Sequence, residues 1–361
     1  MSKIKQLERD IRLVEAQNTL LTQANKQLWK EKTATERIFS YAKTSLDAYS
    51  PITPPQRTPK ATRRTTVESA VLLNSCYHIG ETVDPLQMGG LNAYDFDIFT
   101  RRFQQLIDTT LSFTQENLRG YKFDELWFVH LGDAVSGIIH KELETSNCLN
   151  IVEQVTLGAC VVAQGIRELC AVFPRVIFLG LPGNHGRTEQ KYYFKNKSQV
   201  NWDHVFYNYL ALFLRDQPNI TFRLPFSFWA GFSIKNWFFH ASHGDTIKSW
   251  NGIPFYGLNR EVAKWSQIAA ARGQFYHYYI RSHFHTRGSM QTDIGENILN
   301  GSLIGAGEYS IAIPGVSDPT QTLFGVHARH GKTWELPISV KDCPARARYK
   351  YDKSRAIGEQ V

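Results

Sequence analysis

Five apolar segments of this chain end in residues that can bind metals or phosphate, and this repetition constrains the fold more than any other feature. The segments are "SAVLLNSCYH", "ELWFVHLGD", "RVIFLGLPGNH", "FFHASHGD" and "YYIRSHFH". Apolar runs of this length, rich in Val, Leu, Ile and aromatic residues, predict buried strands of the kind found in a parallel sheet covered by helices. In such folds ligands bind outside the carboxyl ends of the strands. The sequence therefore predicts an α/β fold with one site at these ends.

Any one of these strand ends is weak evidence, because Gly-Asp is ordinary turn chemistry and a lone histidine is usually structural. The set is informative because five histidines, one Asp and one Asn recur at the same position in a chain with 12 histidines. The candidates are Cys76, His78, Asp133, Asn184, His185, His243, His283 and His285. His240 lies at odd spacing before His243, on the opposite face of that strand, and is interpreted as structural. The spacing of His283 and His285 predicts that both lie on one face of a strand.

Hydrolysis by two metal ions needs this set of side chains. A pair of divalent cations requires one bridging carboxylate, several imidazoles and a neutral oxygen donor, so that enough positive charge remains to bind an anionic phosphate. Asp133 fits the bridge. Imidazoles suit Zn, Fe or Mn, and the carboxylate and amide oxygens keep the site hard enough for Mn.

The pattern of apolar runs changes along residues 69–340. The first half alternates strands and helices, whereas beyond residue 218 the apolar runs are shorter and closer together, with one helical pattern at 257–271. This order predicts two sheets packed on each other with helices outside, which is a four-layer α/β/β/α sandwich.

Residues 4–28 show an apolar repeat with alternating spacings of three and four. The repeat puts Ile4, Leu7, Ile11, Val14, Leu21 and Leu28 on one seam, with Asn18 and Asn25 at a positions. Such heptads predict a coiled-coil helix over residues 1–45 and a homo-oligomer held through residues 4–28. A single amphipathic helix folded against its own domain is the alternative.

The basic excess lies outside the predicted body. Of the formal net charge of +8, residues 51–67 carry +4 and residues 1–50 and 341–361 carry +3 each, which leaves −2 for residues 68–340. We expect a Pro-rich basic linker over 46–68 and a basic C-terminal tail over 341–361. Such segments bind nucleic acid through phosphate contacts, although solvated tails have the same composition.

Other classes of protein are disfavoured. The chain has no run of 18 apolar residues and begins with a polar segment, so we expect neither a membrane span nor a signal peptide. We therefore expect a cytoplasmic protein. Its five cysteines are odd in number and contain no CxxC pair, which argues against a disulfide framework or a structural zinc ribbon.

Taken together, the five motifs resemble those of the calcineurin-like metallophosphoesterases, which include purple acid phosphatases, protein phosphatases and the nuclease subunits of double-strand-break repair complexes. The family pattern is D-x-H, G-D-x-x, G-N-H-D/E, H and G-H-x-H, and its counterparts here span about 210 residues. The segments "GETVDP" and "NGSLIGAGEYS" are similar to those of bacteriophage members of the superfamily. A phage-encoded protein of this kind would work in the host cytoplasm.

The resemblance implies a ligand set and a mechanism. The first metal would take His78, Asp133 and His285, and the second would take Asp133, Asn184, His243 and His283. A hydroxide held by both ions would attack phosphorus in line, while His185 contacts the phosphate and protonates the leaving group. Arg187 is either a phosphate clamp, since a guanidinium can bond two oxygens, or a solvent-exposed side chain.

Three residues depart from the family pattern. Cys76 stands where the family has its first Asp, Gly186 where many members have an acid, and Ser282 where the first Gly of G-H-x-H is expected. A thiolate at Cys76 would be a softer ligand and would shift the metal preference toward Zn or Fe. Alternatively, Cys76 is a buried strand thiol and the first metal is weak or absent.

These observations favour a metal-dependent phosphodiesterase that acts on nucleic acid, a nuclease. A phosphomonoesterase or a small-nucleotide phosphodiesterase is the alternative enzyme, because the same residues would act on any of these esters. The alternative from a different class is a catalytically degenerate phosphoesterase scaffold used for binding or assembly.

Overall fold

The computed structural model describes residues 2–48, 65–189, 195–249, 254–311 and 317–352. The chain divides into two compact units, Met1–Thr62 and Arg63–Val361. The first contains one long helix, α1 (Ser2–Ala48), which holds no Gly or Pro, and every side chain from residue 3 to residue 33 is exposed. Most of the predicted linker (residues 49–64) and the end of the predicted tail (residues 353–361) lie outside the described residues.

The second unit contains a six-stranded sheet. Its strands are β1 (Thr66–Asn74), β2 (Tyr121–His130), β3 (Val176–Gly180), β4 (Ile220–Arg223), β10 (Thr320–His327) and β11 (Gly331–Ser339). Their order is β11-β10-β1-β2-β3-β4, in which β1 to β4 are parallel and β10 and β11 are antiparallel to their neighbours. The expected buried parallel strands are therefore present at the centre of this sheet.

A five-stranded sheet follows along the chain. It is built from β5 (Trp229–Ile234), β6 (Trp237–Ser242), β7 (Tyr278–Arg281), β8 (Gly288–Gln291) and β9 (Glu296–Leu299) in the order β5-β6-β7-β9-β8. The neighbours β6 and β7 are parallel, as are β7 and β9. Because β6 and β7 run the same way, the segments that follow them leave the sheet at the same edge.

Helices connect the strands of this unit, and three of them begin with a side-chain cap. They are α2 (Phe96–Ser112), which continues as a π-helical turn over Phe113–Asn117, α3 (Lys141–Ser146), α4 (Ile151–Val172), α5 (Trp202–Phe213), α6 (Phe255–Ala270) and α7 (Glu308–Ile311). The side chains of Asp95, Asn150 and Asn201 accept hydrogen bonds from the first free backbone N–H groups of α2, α4 and α5.

Alternate residues of the central strands pack into two different cores. Val71 and Leu73 of β1 and Val129 of β2 share one buried cluster with Phe239 and Ile280 of the second sheet. The intervening side chains of the same strands belong to a second cluster with α2, α4 and α5; its members include Leu72, Phe103, Phe128, Val162 and Phe206. A third cluster joins α6 to the second sheet through Trp265 and Tyr279. The mixed α/β fold with two sheets is thus confirmed.

The first part of the predicted basic tail packs on this unit instead of extending from it. Tyr349 is 5% exposed and belongs to the main core. The Arg348 guanidinium donates to both carboxylate oxygens of Asp108, at 2.8 and 2.6 Å, and to Glu168 at 3.0 Å. The charge of Arg348 is therefore balanced by acids of α2 and α4, which net charge alone cannot reveal.

Helix α4 is the one helix among the described residues that is long and apolar enough to span a membrane by length and composition. Of its most apolar window, 61% is buried inside the unit, as is common for a core helix.

Candidate metal centre

The residues proposed as ligands follow directly on five strands. Cys76 and His78 come after β1, Asp133 after β2, and Asn184 after β3. His243 follows β6, and His283 and His285 follow β7. The short distances between their donor atoms show that the chain brings these carboxyl ends to one place.

One group of donor atoms lies around His78. Its Nε2 is 3.2 Å from Nε2 of His285 and 3.9 Å from Oδ2 of Asp133. The Cys76 Sγ and the ring nitrogens of these two histidines all lie within 4.8 Å of one another. The fold therefore brings Cys76 into the group expected to hold the first metal.

A second group lies around His243. Its Nε2 is 2.9 Å from Oδ2 of Asp133 and 3.0 Å from Oδ1 of Asn184. The ring of His283 lies 5.1 Å from the ring of His243, centroid to centroid. Asp133 Oδ2 approaches both groups, which is the position a shared, bridging carboxylate needs.

Contacts on the far side of the rings suit both histidines to metal binding. Nδ1 of His243 lies 2.7 Å from the carbonyl oxygen of Leu131. When Nδ1 carries the proton of the neutral ring, Nε2 keeps a lone pair that can bind a metal ion. Nδ1 of His78 lies 3.1 Å from Oε2 of Glu81. A carbonyl or carboxylate behind the imidazole is the usual support of a histidine ligand. Imidazole, carboxylate, amide and thiolate donors together fit divalent Zn, Fe or Mn.

Left-handed backbone is concentrated in these loops. Of seven described non-glycine residues with positive φ, five are Cys76 (51°), His78 (47°), Asp133 (55°), His283 (73°) and His285 (56°). Such conformations are unfavourable for ordinary residues and persist where the surrounding structure enforces them, typically at functional sites. The expectation that His283 and His285 share a strand face is wrong, because β7 ends at Arg281. Both residues lie in the loop after β7, which places the ring of His285 beside His78 and the ring of His283 beside His243.

Two glycines let the Asp133 and Asn184 loops touch. A Cβ on Gly132, where φ is +93°, would lie 2.4 Å from the backbone nitrogen of Gly183. A Cβ on Gly183 would lie 2.1 Å from Oδ1 of Asp133. The backbone N–H of His185 also donates to Asp133 Oδ1 at 2.7 Å, which leaves Oδ2 toward the two histidine groups.

A buried carboxylate that the sequence did not single out holds these two loops together. Asp203 accepts hydrogen bonds from the backbone N–H groups of Asp133 at 3.0 Å, Ala134 at 2.9 Å and Gly183 at 2.8 Å. It sits in the first turn of α5, 70 residues beyond Asp133 in the chain, so no spacing points to it. Its neighbour Asn201 also explains Gly186, where a Cβ would lie 2.1 Å from Asn201 Oδ1. Any side chain at position 186 would therefore meet the start of α5.

Glu81 is a second residue of this centre that the sequence did not single out. It lies beside His78 Nδ1 and accepts a hydrogen bond from the Ser136 hydroxyl at 3.4 Å. Its place three residues after His78, in "HIGE", is a local signal that could have identified it.

The charges of the centre compensate one another. Burial would raise the pKa of the Cys76 thiol, but His285 and His78 lower it to about 5. Burial would also lower the pKa of His243, yet the charge of Asp133 raises it to about 10. Burial opposes ionisation of Asp133, but the same contact with His243 holds the pKa of Asp133 well below its usual range. Protons on the imidazoles thus balance the thiolate and carboxylate, a task that a divalent cation can take over.

His185 lies next to both groups. Its ring is 4.3 Å from that of His78, and its Nδ1 donates to the carbonyl oxygen of Ser136 at 2.9 Å in the tautomer that satisfies both atoms. Burial and the charge of His78 lower the pKa of His185 to about 4, so the ring is neutral near pH 7. An anionic ester beside the free Nε2 would raise that pKa and favour protonation there.

Arg187 and His240 take other positions. The Nε of Arg187 donates to the carbonyl oxygen of Asn184 at 3.0 Å, so the side chain supports the loop that carries a proposed ligand. His240 is fully buried, with its ring 5.5 Å from Trp229 and 4.2 Å from Trp265, in agreement with a structural role.

Comparison with known proteins gives a limited result. No protein-family model matches the chain, and no curated protein matches it. Among solved structures, vacuolar protein sorting 29 from Cryptosporidium parvum is similar with a TM-score of 0.34 and 13% identity, covering 75% of this chain and 96% of that one. An archaeal phosphodiesterase gives 0.34 and 13%, covering 74% and 99%. The E. coli phosphoesterase YfcE gives 0.32 and 11%, covering 75% and 100%. TM-scores this low carry no argument about function.

Proposed function

We propose that this protein is a two-metal phosphoesterase of the calcineurin-like type, with a four-layer α/β/β/α body, and that it is a phosphodiesterase acting on nucleic acid. The observation that carries the proposal is the pair of donor groups that share Asp133. Oδ2 of this side chain lies 2.9 Å from His243 Nε2 and 3.9 Å from His78 Nε2, and each histidine has further donors around it.

The side chains divide the work between holding ions and handling the ester. Two bound divalent ions would supply Lewis acidity and lower the pKa of water, so that a nucleophile forms near neutral pH. Cys76, His78 and His285 would hold one ion, Asn184, His243 and His283 would hold the other, and Asp133 would contribute to both. The neutral amide of Asn184 and the neutral imidazoles leave net positive charge for the phosphate.

The neutral His185 supplies the proton chemistry. With Nδ1 donating to Ser136, Nε2 is the ring nitrogen left for the substrate, and it would become protonated when an anionic ester lies beside it. That proton then passes to the leaving-group oxygen, which makes departure easier. Arg187 would bind the phosphate, and through its Nε it also holds the Asn184 loop.

The basic stretch of residues 51–67 is the support for a nucleic-acid substrate, since it carries Arg57, Lys60, Arg63 and Arg64 with no acid. Replacing these four residues by Gln should lower the slope of log affinity against log salt for single-stranded DNA by up to about 3 units. Turnover of a small diester should be unchanged, because a small diester lacks the run of phosphates that these four cations would bind.

The direct test compares bis-p-nitrophenyl phosphate with p-nitrophenyl phosphate, with Mn, Zn or a chelator present. We expect metal-dependent cleavage of the diester, abolished in Asp133→Asn and retained in the matched control Asp97→Asn, an exposed acid paired with Arg101. Faster cleavage of the monoester would replace the proposal by a phosphomonoesterase. Absence of cleavage of either ester by fully metallated protein would favour a binding scaffold.

A further inference from the structure

Helix α1 carries a row of apolar side chains that are all exposed. We call this row the α1 seam; its members are Ile4, Leu7, Ile11, Val14, Leu21 and Leu28, which are 53–67% exposed. They follow spacings of three and four without interruption when Asn18 and Asn25 are included. A repeat of 3.5 residues stays in one interface along its length when two or more helices supercoil around each other.

Exposure alone does not define the α1 seam. Leu13 and Leu20 are 57% and 66% exposed, as much as the members of the seam. Both occupy c positions of the heptad, which point away from a partner that packs on a and d. The helix therefore contains matched pairs of leucines that differ in heptad position and not in exposure.

The two asparagines identify the partner. In a parallel, in-register pair, an a position meets the same a position of the other helix, so Asn18 would face Asn18 and Asn25 would face Asn25. Each amide can then donate to and accept from its copy. In an antiparallel pair the a positions face d positions, and these amides would be buried against leucine or valine. The pattern is thus self-complementary only for two identical helices in parallel.

We propose that a second copy of this chain packs along the α1 seam to form a parallel two-stranded coiled coil over residues 4–28. Ile4 and Ile11 at a, with leucine at most d positions, favour two strands over three or four. The two asparagines hold the register, because a shift by one heptad would leave one Asn opposite an apolar residue.

The test uses the full chain in sedimentation-velocity experiments. We expect the wild-type protein to sediment at twice the chain mass. The variant Leu7→Glu/Leu21→Glu should raise the dissociation constant more than about 100-fold, because four buried leucines are lost per dimer. The control Leu13→Glu/Leu20→Glu adds the same charges at c positions and should remain dimeric.

Strand direction has its own measurement. Ile4→Cys should form a disulfide-linked dimer on mild oxidation with oxidised glutathione, because equivalent a positions lie within bridging distance only in a parallel pair. The wild-type chain, oxidised in the same way, reports any linkage through its native cysteines. Monomeric wild-type protein, equal dissociation of both double variants, a mass above two chains, or failure of Ile4→Cys to cross-link above the wild-type level would each overturn the proposal.

Discussion

Removing the Asp203 carboxylate should loosen the metal centre without touching a ligand. Asp203→Ala leaves the backbone N–H groups of Asp133, Ala134 and Gly183 without their close acceptor, together with that of Val135, which donates at 3.4 Å, in a place where Asp203 itself is fully buried. An unpaired buried donor costs about 1–3 kcal/mol, so the three close donors together cost roughly 3–9 kcal/mol.

Removing the Asp203 carboxylate also relieves an unfavourable buried charge, which lowers the net cost to the free energy of unfolding. Burial and the nearby charge of Asp133 raise the pKa of Asp203 to about 6, so the ionised carboxylate is itself unfavourable at this place. Allowing for the relief of this repulsion, we expect a net loss of about 3 kcal/mol in the free energy of unfolding. Metal affinity should fall as well, since the released loops carry Asp133 and Asn184.

The assay pairs urea unfolding of the metal-free protein with a zinc competition titration against a chromophoric chelator. Asp216→Ala is the matched control, because Asp216 also accepts two hydrogen bonds, from Arg167 at 2.9 and 2.6 Å, but is exposed. Exposed ion pairs contribute little, so this variant should resemble the wild type. Wild-type stability and zinc affinity in Asp203→Ala would refute the role assigned to Asp203.

Three further predictions concern the same centre. Cys76→Ser should retain about one ion per chain by elemental analysis, and two ions in this variant would remove Cys76 from the ligand set. Cys76→Asp should retain about two ions and prefer Mn over Zn, because a carboxylate is a harder ligand than a thiolate. Zinc binding near pH 7.5 should release about two protons per chain into a weakly buffered indicator solution, since His78 and His243 have raised pKa values and must lose protons to bind. Metal affinity should accordingly fall as the pH is lowered, and a pH-independent affinity with no proton release would contradict this. Gly186→Ala should destabilise the protein by about 1–3 kcal/mol through its clash with Asn201, whereas Gly120→Ala, with no atom within 4 Å of the added Cβ, should be neutral; equal unfolding midpoints for the two variants would show that Asn201 moves aside.

The sequence was sufficient to predict the strands and the residues at their ends. The buried strand that ends at His130 and is followed by Asp133 was recognisable because its apolar run is continuous and stops at Gly132. The carboxyl ends of parallel strands meet at one edge of a sheet. This rule predicts that the residues after β1, β2 and β3 gather, namely Cys76, His78, Asp133 and Asn184, and that His243 and His285 gather after β6 and β7. The packing of the two sheets on each other brings the two sets together.

Other features depend on tertiary contacts that no local pattern encodes. Asp203 becomes important only because α5 packs its first turn against the Asp133 loop. The same packing explains why a glycine stands at position 186, since a Cβ there would meet Asn201. His283 and His285 were expected on a strand, but their left-handed φ values end β7 and turn the two rings toward different groups. Arg348 looked like part of a free basic tail until its partners Asp108 and Glu168 were located.

The most direct test of the central claim is the number of transition-metal ions bound per chain, measured by elemental analysis after reconstitution and gel filtration, for the wild type and Asp133→Asn. Two donor groups that share one carboxylate predict about two ions per chain in the wild type and a marked loss from both groups in the variant. Loss of no more than one ion in Asp133→Asn, or a wild-type chain that binds a single ion at saturation, would contradict a two-metal centre bridged by Asp133.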